Sequence, residues 1–176
     1  MSMKVLVISD SHGKNDDVKR VIEQVGDVDM MIHLGDVERG DDYIRSIAKC
    51  PPEKVYIVSG NNDYNLTLPY QYTIDIAGYK TLITHGHRFY VNGGTGYLSE
   101  YAKENNIDVV MYGHTHVPYI DIGEDVTILN PGSISYPRQS GRKQTFLIME
   151  VDDEGNAHYN HGYLRSTLKD VYGKLY

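Results

Sequence analysis

The sequence predicts a mixed α/β fold whose first half forms a parallel sheet and whose second half forms β-hairpins. Three observations predict it. Up to residue 59, short apolar runs rich in β-branched residues alternate with helical spacings, the order of a parallel sheet with crossover helices. Beyond residue 70 the pattern shifts to paired segments joined by turns, the mark of antiparallel hairpins. Asp, Asn and His stand beside Gly where the buried runs stop, so polar chemistry gathers at strand ends.

Lys4–Ser9 is a continuous apolar run and reads as a strand buried on both faces. Asp16–Val25 has apolar residues at 18, 21, 22 and 25, a helical spacing that Gly26 stops. Asp29–Leu34 is a second buried strand. Asp41–Lys49 is a short helix ended by Pro51-Pro52, and Glu53–Ser59 is a third strand. Gln71–Ile76 alternates, turns at Ala77-Gly78 and resumes as Tyr79–Thr84. Gly96–Asn106 places Leu98, Tyr101 and Ala102 on one helical face, and Asp108–Tyr112 is another buried strand. Tyr119–Ile122 with Val126–Leu129, and Thr145–Val151 with Ala157–Tyr163, form two more hairpins. Ser166–Tyr176 reads as a terminal helix. No repeat or linker interrupts the order, and the 176 residues are expected to form one domain, 1–176, with a core that needs no disulfide.

Composition narrows the function classes. The single cysteine, Cys50, has no internal partner, which fits a reducing compartment and a half-buried apolar role. The N-terminal apolar stretch is too short for a signal peptide, and no window approaches the ~20 apolar residues of a membrane span. A cytoplasmic protein with no membrane partner is expected. The formal net charge of −7 does not suit a duplex nucleic acid partner, whose phosphates need Lys and Arg. It leaves nucleotide-sized substrates open, because bound cations reverse the local sign of a carboxylate cluster. The aromatic residues are lopsided, with 16 Tyr, 2 Phe and no Trp. Exposed Tyr-rich edges leave a homo-oligomer open.

The residues after each predicted strand carry the chemistry. They are Asp10-Ser11-His12-Gly13, Gly35-Asp36, Gly60-Asn61-Asn62-Asp63, His85-Gly86-His87 and Gly113-His114-Thr115-His116. Open α/β sheets bind ligands outside the carboxyl ends of their strands. Carboxylate, amide oxygen and neutral imidazole together suit Mn, Fe, Co, Ni or Zn rather than calcium, and no thiolate joins them as in structural zinc sites. Each dipeptide alone is an ordinary turn; the ordered set is the signal.

This ordered set resembles the calcineurin-like metallophosphoesterases, whose signature runs D-x-H, G-D, G-N-x-[D/E], H-G and G-H-x-H. The likeness spans Asp10 to His116 and continues into Asn130–Arg138, "NPGSISYPR". The short chain is similar to the small YfcE-like bacterial and archaeal phosphodiesterases, a group structurally related to Vps29. The resemblance implies a fold of two mixed β-sheets packed as a sandwich flanked by helices. It also implies two divalent metal ions, with Mn²⁺ the expectation and Fe, Ni, Co or Zn open. Asp10, His12 and His116 would hold the first, Asn61, His85 and His114 the second, and Asp36 would bridge them. The activity implied is hydrolysis of a small phosphodiester substrate by a metal-bridging hydroxide. The catalytic set expected is then Asp36, Asn61 and His87.

One position departs from the family pattern. Many members carry His after the metal-binding Asn, and that His is thought to protonate the leaving group or grip the phosphate. Here the residue is Asn62, an amide that donates hydrogen bonds but is no general acid. This favours diesters with good leaving groups over phosphomonoesters, makes His87 the candidate acid and Asn62 a substrate-binding residue, and leaves Asp63 to orient a ligand or cap the loop. Arg138 is a second candidate for substrate phosphate, since guanidinium forks onto phosphate oxygens. His33, inside a strand, reads as a core histidine with a backbone partner. Asn92–Gly96, "NGGTG", lacks the Lys-Ser/Thr of a P-loop and reads as a flexible loop. A non-catalytic scaffold, a phosphomonoesterase and a nuclease are the competing readings. Specificity is assigned to loops 65–71, 89–96 and 137–143.

Overall fold

A computed structural model describes residues 2–166. The terminal helix expected over 166–176 lies, apart from Ser166, outside the described residues. Among the described residues, ten strands form two five-stranded sheets. In the first, β1 (Met3–Ile8) lies parallel to β2 (Met30–His33), which lies parallel to β3 (Val55–Ile57). The hairpin of β9 (Thr145–Val151) and β10 (Ala157–Tyr163) joins this sheet antiparallel to β1. The second sheet runs β4 (Gln71–Ile76), β5 (Tyr79–Thr84), β6 (Val109–Met111), β8 (Thr127–Pro131) and β7 (Pro118–Ile122).

Alternation along β1 shows why the sheets stack. Val5 and Val7 face the second sheet and meet Ile83, Met111 and Leu129 in the central core. Leu6 and Ile8 face the opposite way, against Val18, Val21 and Ile22 of α1 (Asn15–Val25) and Ile44 of α2 (Asp41–Ile47). The outer face of the second sheet is covered by Leu98 and Ala102 of α3 (Gly96–Glu104), packed on Leu82, Val110 and Ile128. The layers are therefore helix, sheet, sheet, helix. Both faces of β1, β2, β5 and β6 are covered, which is why these runs are apolar without a polar face.

The hairpin strands at 71–76, 79–84, 145–151 and 157–163 have the bounds that alternation predicts. Elsewhere the ends shift. Asn15 joins α1, and the strand expected from Glu53 begins at Val55 because Pro52–Lys54 form a 3₁₀ turn. The second half is also not hairpins alone. β5, β6 and β8 are mutually parallel, because α3 crosses over between β5 and β6 and β7, antiparallel to β8, returns the chain between β6 and β8. The stretch before α3 contains two 3₁₀ turns, His87–Phe89 and Val91–Gly93, tied by bonds such as Phe89 N–H to Gly86 O at 2.9 Å and Gly93 N–H to Tyr90 O at 2.9 Å. No helix among the described residues is long and apolar enough to cross a membrane. This topology sends the carboxyl ends of β1, β2, β3, β5 and β6 toward one edge of the sandwich.

Candidate metal centre

The loops leaving these strands are stitched together by main-chain bonds. Asp10 N–H donates to Gly35 O at 3.1 Å, and Gly113 N–H donates to His85 O at 3.0 Å. The approach is close. Gly35 sits at a φ of +95°, and a Cβ there would stand 2.7 Å from Gly60 N and 2.8 Å from His85 Nδ1. A Cβ on Gly60 would overlap Asp36 Oδ1. The glycines beside the polar residues thus make room for the neighbouring loop.

Five of the seven expected ligands, Asp10, His12, Asp36, His114 and His116, adopt left-handed φ between 46° and 67°. Each such non-glycine residue costs on the order of 1 kcal/mol, and the bonds around it hold it there. Among the described residues, Asp10, His12, Asp36 and His116 bring one ligand atom each within 4.8 Å of one another. These are the four assigned by resemblance to the first ion and the bridge. His85 Nε2 lies 3.2 Å from Asn61 Oδ1 and 3.5 Å from Asp36 Oδ2. The His114 ring packs edge-on to His85 at 5.1 Å, so the second expected set also gathers.

Proton positions show what the site needs. His85 Nδ1 is 2.6 Å from Leu34 O and His116 Nδ1 is 2.7 Å from Tyr136 O. A carbonyl only accepts, so both Nδ1 atoms donate, and in the neutral ring Nε2 is left as an electron pair. His12 Nδ1 meets Glu38 Oε1 at 2.7 Å, with the same consequence. The Nε2 atoms of His12 and His116 then face each other at 3.3 Å, with Asp10 Oδ1 3.2 Å from His116. That Asp10 oxygen is buried and accepts no hydrogen bond. Facing electron pairs around a buried carboxylate repel unless a cation lies among them. The residues therefore fit divalent ions.

The carboxylates and imidazoles are tuned together. Burial alone would raise both acids, but His116 and His85 hold Asp10 below its ordinary value, and His85 and Asn62 hold Asp36 well below. Burial would lower His85, yet the Asp36 hydrogen bond and the charge of Asp10 raise it. His87 behaves in the opposite way. Burial, with His85 and His114 beside it, pushes it down to about 4, and its Nδ1 is buried without a partner. It is a neutral imidazole beside the centre, 5.4 Å from the His85 ring.

The other sequence-predicted residues are placed as follows. Asn62 donates to Asp36 twice, through its main-chain N–H to Oδ1 at 2.9 Å and through Nδ2 to Oδ2 at 2.7 Å. Asp63 caps two loops, accepting from Glu38 N–H at 2.5 Å and Gly60 N–H at 2.7 Å. His33 is fully buried and its Nδ1 accepts from Gly35 N–H at 3.2 Å. Its Nε2 therefore donates to Ser11 Oγ at 2.9 Å. Arg138 is exposed on the loop after Tyr136. Two supporting residues had no motif to mark them: Glu38 orients His12, and the side-chain amide of Asn92 meets His114 Nε2 at 3.0 Å. Inside the Asn130–Arg138 stretch, Ser133 Oγ donates to Asp10 O at 2.8 Å and Asn130 Nδ2 donates to Gly113 O at 2.9 Å.

Residues 3–154 match the calcineurin-like phosphoesterase superfamily domain. The chain belongs to this superfamily. Among its relatives is a protein of Methanocaldococcus jannaschii named "Probable metallophosphoesterase", 37% identical over 78% of this chain and 71% of its own. The Escherichia coli "Phosphodiesterase YfcE" is 29% identical over 85% of this chain and 89% of its own. A crystal structure from Streptococcus pneumoniae, described as a predicted phosphoesterase, superposes with a TM-score of 0.75 at 30% identity, covering 93% of this chain and 98% of that one. Vps29 of Entamoeba histolytica shares the fold, with a TM-score of 0.68 at 22% identity over 93% of this chain and all of that one.

Gly60→Ala is expected to push the added methyl into Asp36 and weaken Mn²⁺ uptake by at least about tenfold, with circular dichroism unchanged. Equilibrium dialysis against Mn²⁺ checks this, and wild-type uptake in the variant would show that the close approach does not serve the site.

Proposed function

We propose that this superfamily member is a phosphodiesterase that uses two divalent ions of the Mn, Fe, Co, Ni or Zn class that carboxylate, amide and imidazole donors suit, with Mn²⁺ the expectation. One observation carries the reading. Asp36 Oδ2 lies between the two clusters, 3.7 Å from His12 Nε2 and 3.5 Å from His85 Nε2. A single carboxylate oxygen shared by two donor sets is the arrangement of a bridging ligand.

When bound, such a pair of ions supplies an activated water at neutral pH and neutralises charge on the phosphoryl oxygens. The chain's own part is positioning. Leu34 O and Tyr136 O fix the tautomers of His85 and His116, and Glu38 fixes that of His12. The side-chain Nδ2 of Asn92 meets His114 Nε2 at 3.0 Å and holds that ring beside the centre. Asn62 steadies Asp36 and offers no acidic proton, so hydrolysis relies on a leaving group that departs with little protonation. His87, neutral, offers one N–H to a phosphoryl or leaving oxygen.

Chelator-stripped protein is expected to hydrolyse bis(p-nitrophenyl) phosphate only after Mn²⁺ is restored. Asp36→Asn should lower that turnover by more than about a hundredfold with the fold intact. Turnover without metal, or full activity in Asp36→Asn, would remove the bridging assignment. Asn62→His is expected to raise the ratio of p-nitrophenyl phosphate to bis(p-nitrophenyl) phosphate hydrolysis. An unchanged ratio in steady-state kinetics would place leaving-group protonation elsewhere.

A further inference from the structure

A cleft of about 1410 Å³ opens on the His12–His116 side of the metal centre. It exceeds the roughly 300–1,000 Å³ that a drug-sized ligand needs, and it is far larger than one phosphoryl group. Its far wall carries Arg138, Arg142 and Lys143, three cations gathered in a chain whose net charge is −7. Among the described residues, none of the three is paired with a carboxylate. Among the described residues, the one acid on the cleft wall, Glu38, is held by His12. Two exposed tyrosines, Tyr136 and Tyr163, stand in the same cleft. Lys143 Nζ lies 5.2 Å from the Tyr163 ring centroid.

The loop bearing the cations is tied down rather than loose. Arg138 N–H donates to His116 O at 3.1 Å, so the loop starts on a metal-site residue. Gln139 Nε2 donates to Lys143 O at 2.6 Å, and Arg142 N–H donates to Gln139 O at 3.0 Å, closing a turn with the cations outward. The Tyr163 side is pinned to α1, where Gln24 Nε2 donates to Tyr163 O at 2.9 Å. Cations that no carboxylate among the described residues neutralises suit a phosphate, and exposed tyrosine rings suit a planar base.

We propose that the cleft holds one arm of a nucleotide phosphodiester that carries a second phosphate, the class to which short oligonucleotides belong. This rests on the phosphodiesterase reading above. Water adds across one P–O ester bond of the diester at the metal centre, giving a phosphomonoester and a free hydroxyl. Meanwhile the arm's second phosphate lies on Arg138, Arg142 and Lys143 and its base lies against Tyr136 or Tyr163.

The test compares the dinucleotide TpT with its 5′- and 3′-phosphorylated forms, pTpT and TpTp. For Mn²⁺-loaded wild type, kcat/KM for one phosphorylated form is expected to exceed that for TpT by about tenfold, and the ratio should fall to about one in Arg142→Ala/Lys143→Ala. Titration calorimetry of thymidine 3′,5′-bisphosphate in excess chelator reads the cleft without turnover, and the double variant should bind about tenfold more weakly. A wild-type ratio near one while bis(p-nitrophenyl) phosphate is hydrolysed would overturn the cleft assignment and leave the phosphodiesterase reading standing. No turnover of any diester would remove both. Equal calorimetric affinity in wild type and double variant would likewise overturn the assignment.

Discussion

Buried electron pairs that face one another need a cation between them, and much of this molecule follows from that constraint. His12, His85 and His116 each spend Nδ1 on a fixed acceptor and turn Nε2 inward toward two carboxylates. Within the chain itself, the Asp36 hydrogen bond and the charge of Asp10 raise the His85 value while its own burial opposes the rise. Divalent ions would answer the inward-facing donors directly, and the proposed pair would answer both donor sets at once.

Holding those groups so close takes both sheets. The first contributes Asp10, His12, Asp36 and Asn61 from the ends of β1, β2 and β3; the second contributes His85, His114 and His116 from the ends of β5 and β6. The central core of Val7, Ile32, Leu34, Ile83 and Met111 fixes the spacing of the sheets just below the site. Left-handed backbone at five ligand positions is the local cost, and the segment at 130–136 helps to offset it by bonding to both the Asp10 and the Gly113 loops.

Much of this was legible in the sequence, for physical reasons. Strands covered on both faces read as unbroken apolar runs, so the ends of β1, β2 and β6 could be found, and with them the polar residues that follow. The Gln71–Thr84 hairpin was legible to the residue because alternation and the Ala77-Gly78 turn agree. The parallel pairing of β5, β6 and β8 was not, since pairing partners leave no local trace. The Pro52–Lys54 turn and the two turns after Gly86 are too short to impose a period. In the site, the motif residues stood out by type and spacing, whereas their supports did not. Glu38 acts on His12 across 26 residues and Asn92 on His114 across 22; Ser133, which acts on Asp10 across 123, lay in a stretch marked only by its family likeness. Asn62 was read as a substrate contact, and the structure engages its amide on Asp36.

The central claim is that Asp36 stands between two cations. Electron paramagnetic resonance of the Mn²⁺-loaded protein, with metal counted on the same sample, tests it most directly. The account predicts two ions per chain and a spin-coupled spectrum that gives way to the six-line pattern of isolated Mn²⁺ in Asp36→Asn. One ion per chain, or two uncoupled ions in the wild-type protein, would contradict it.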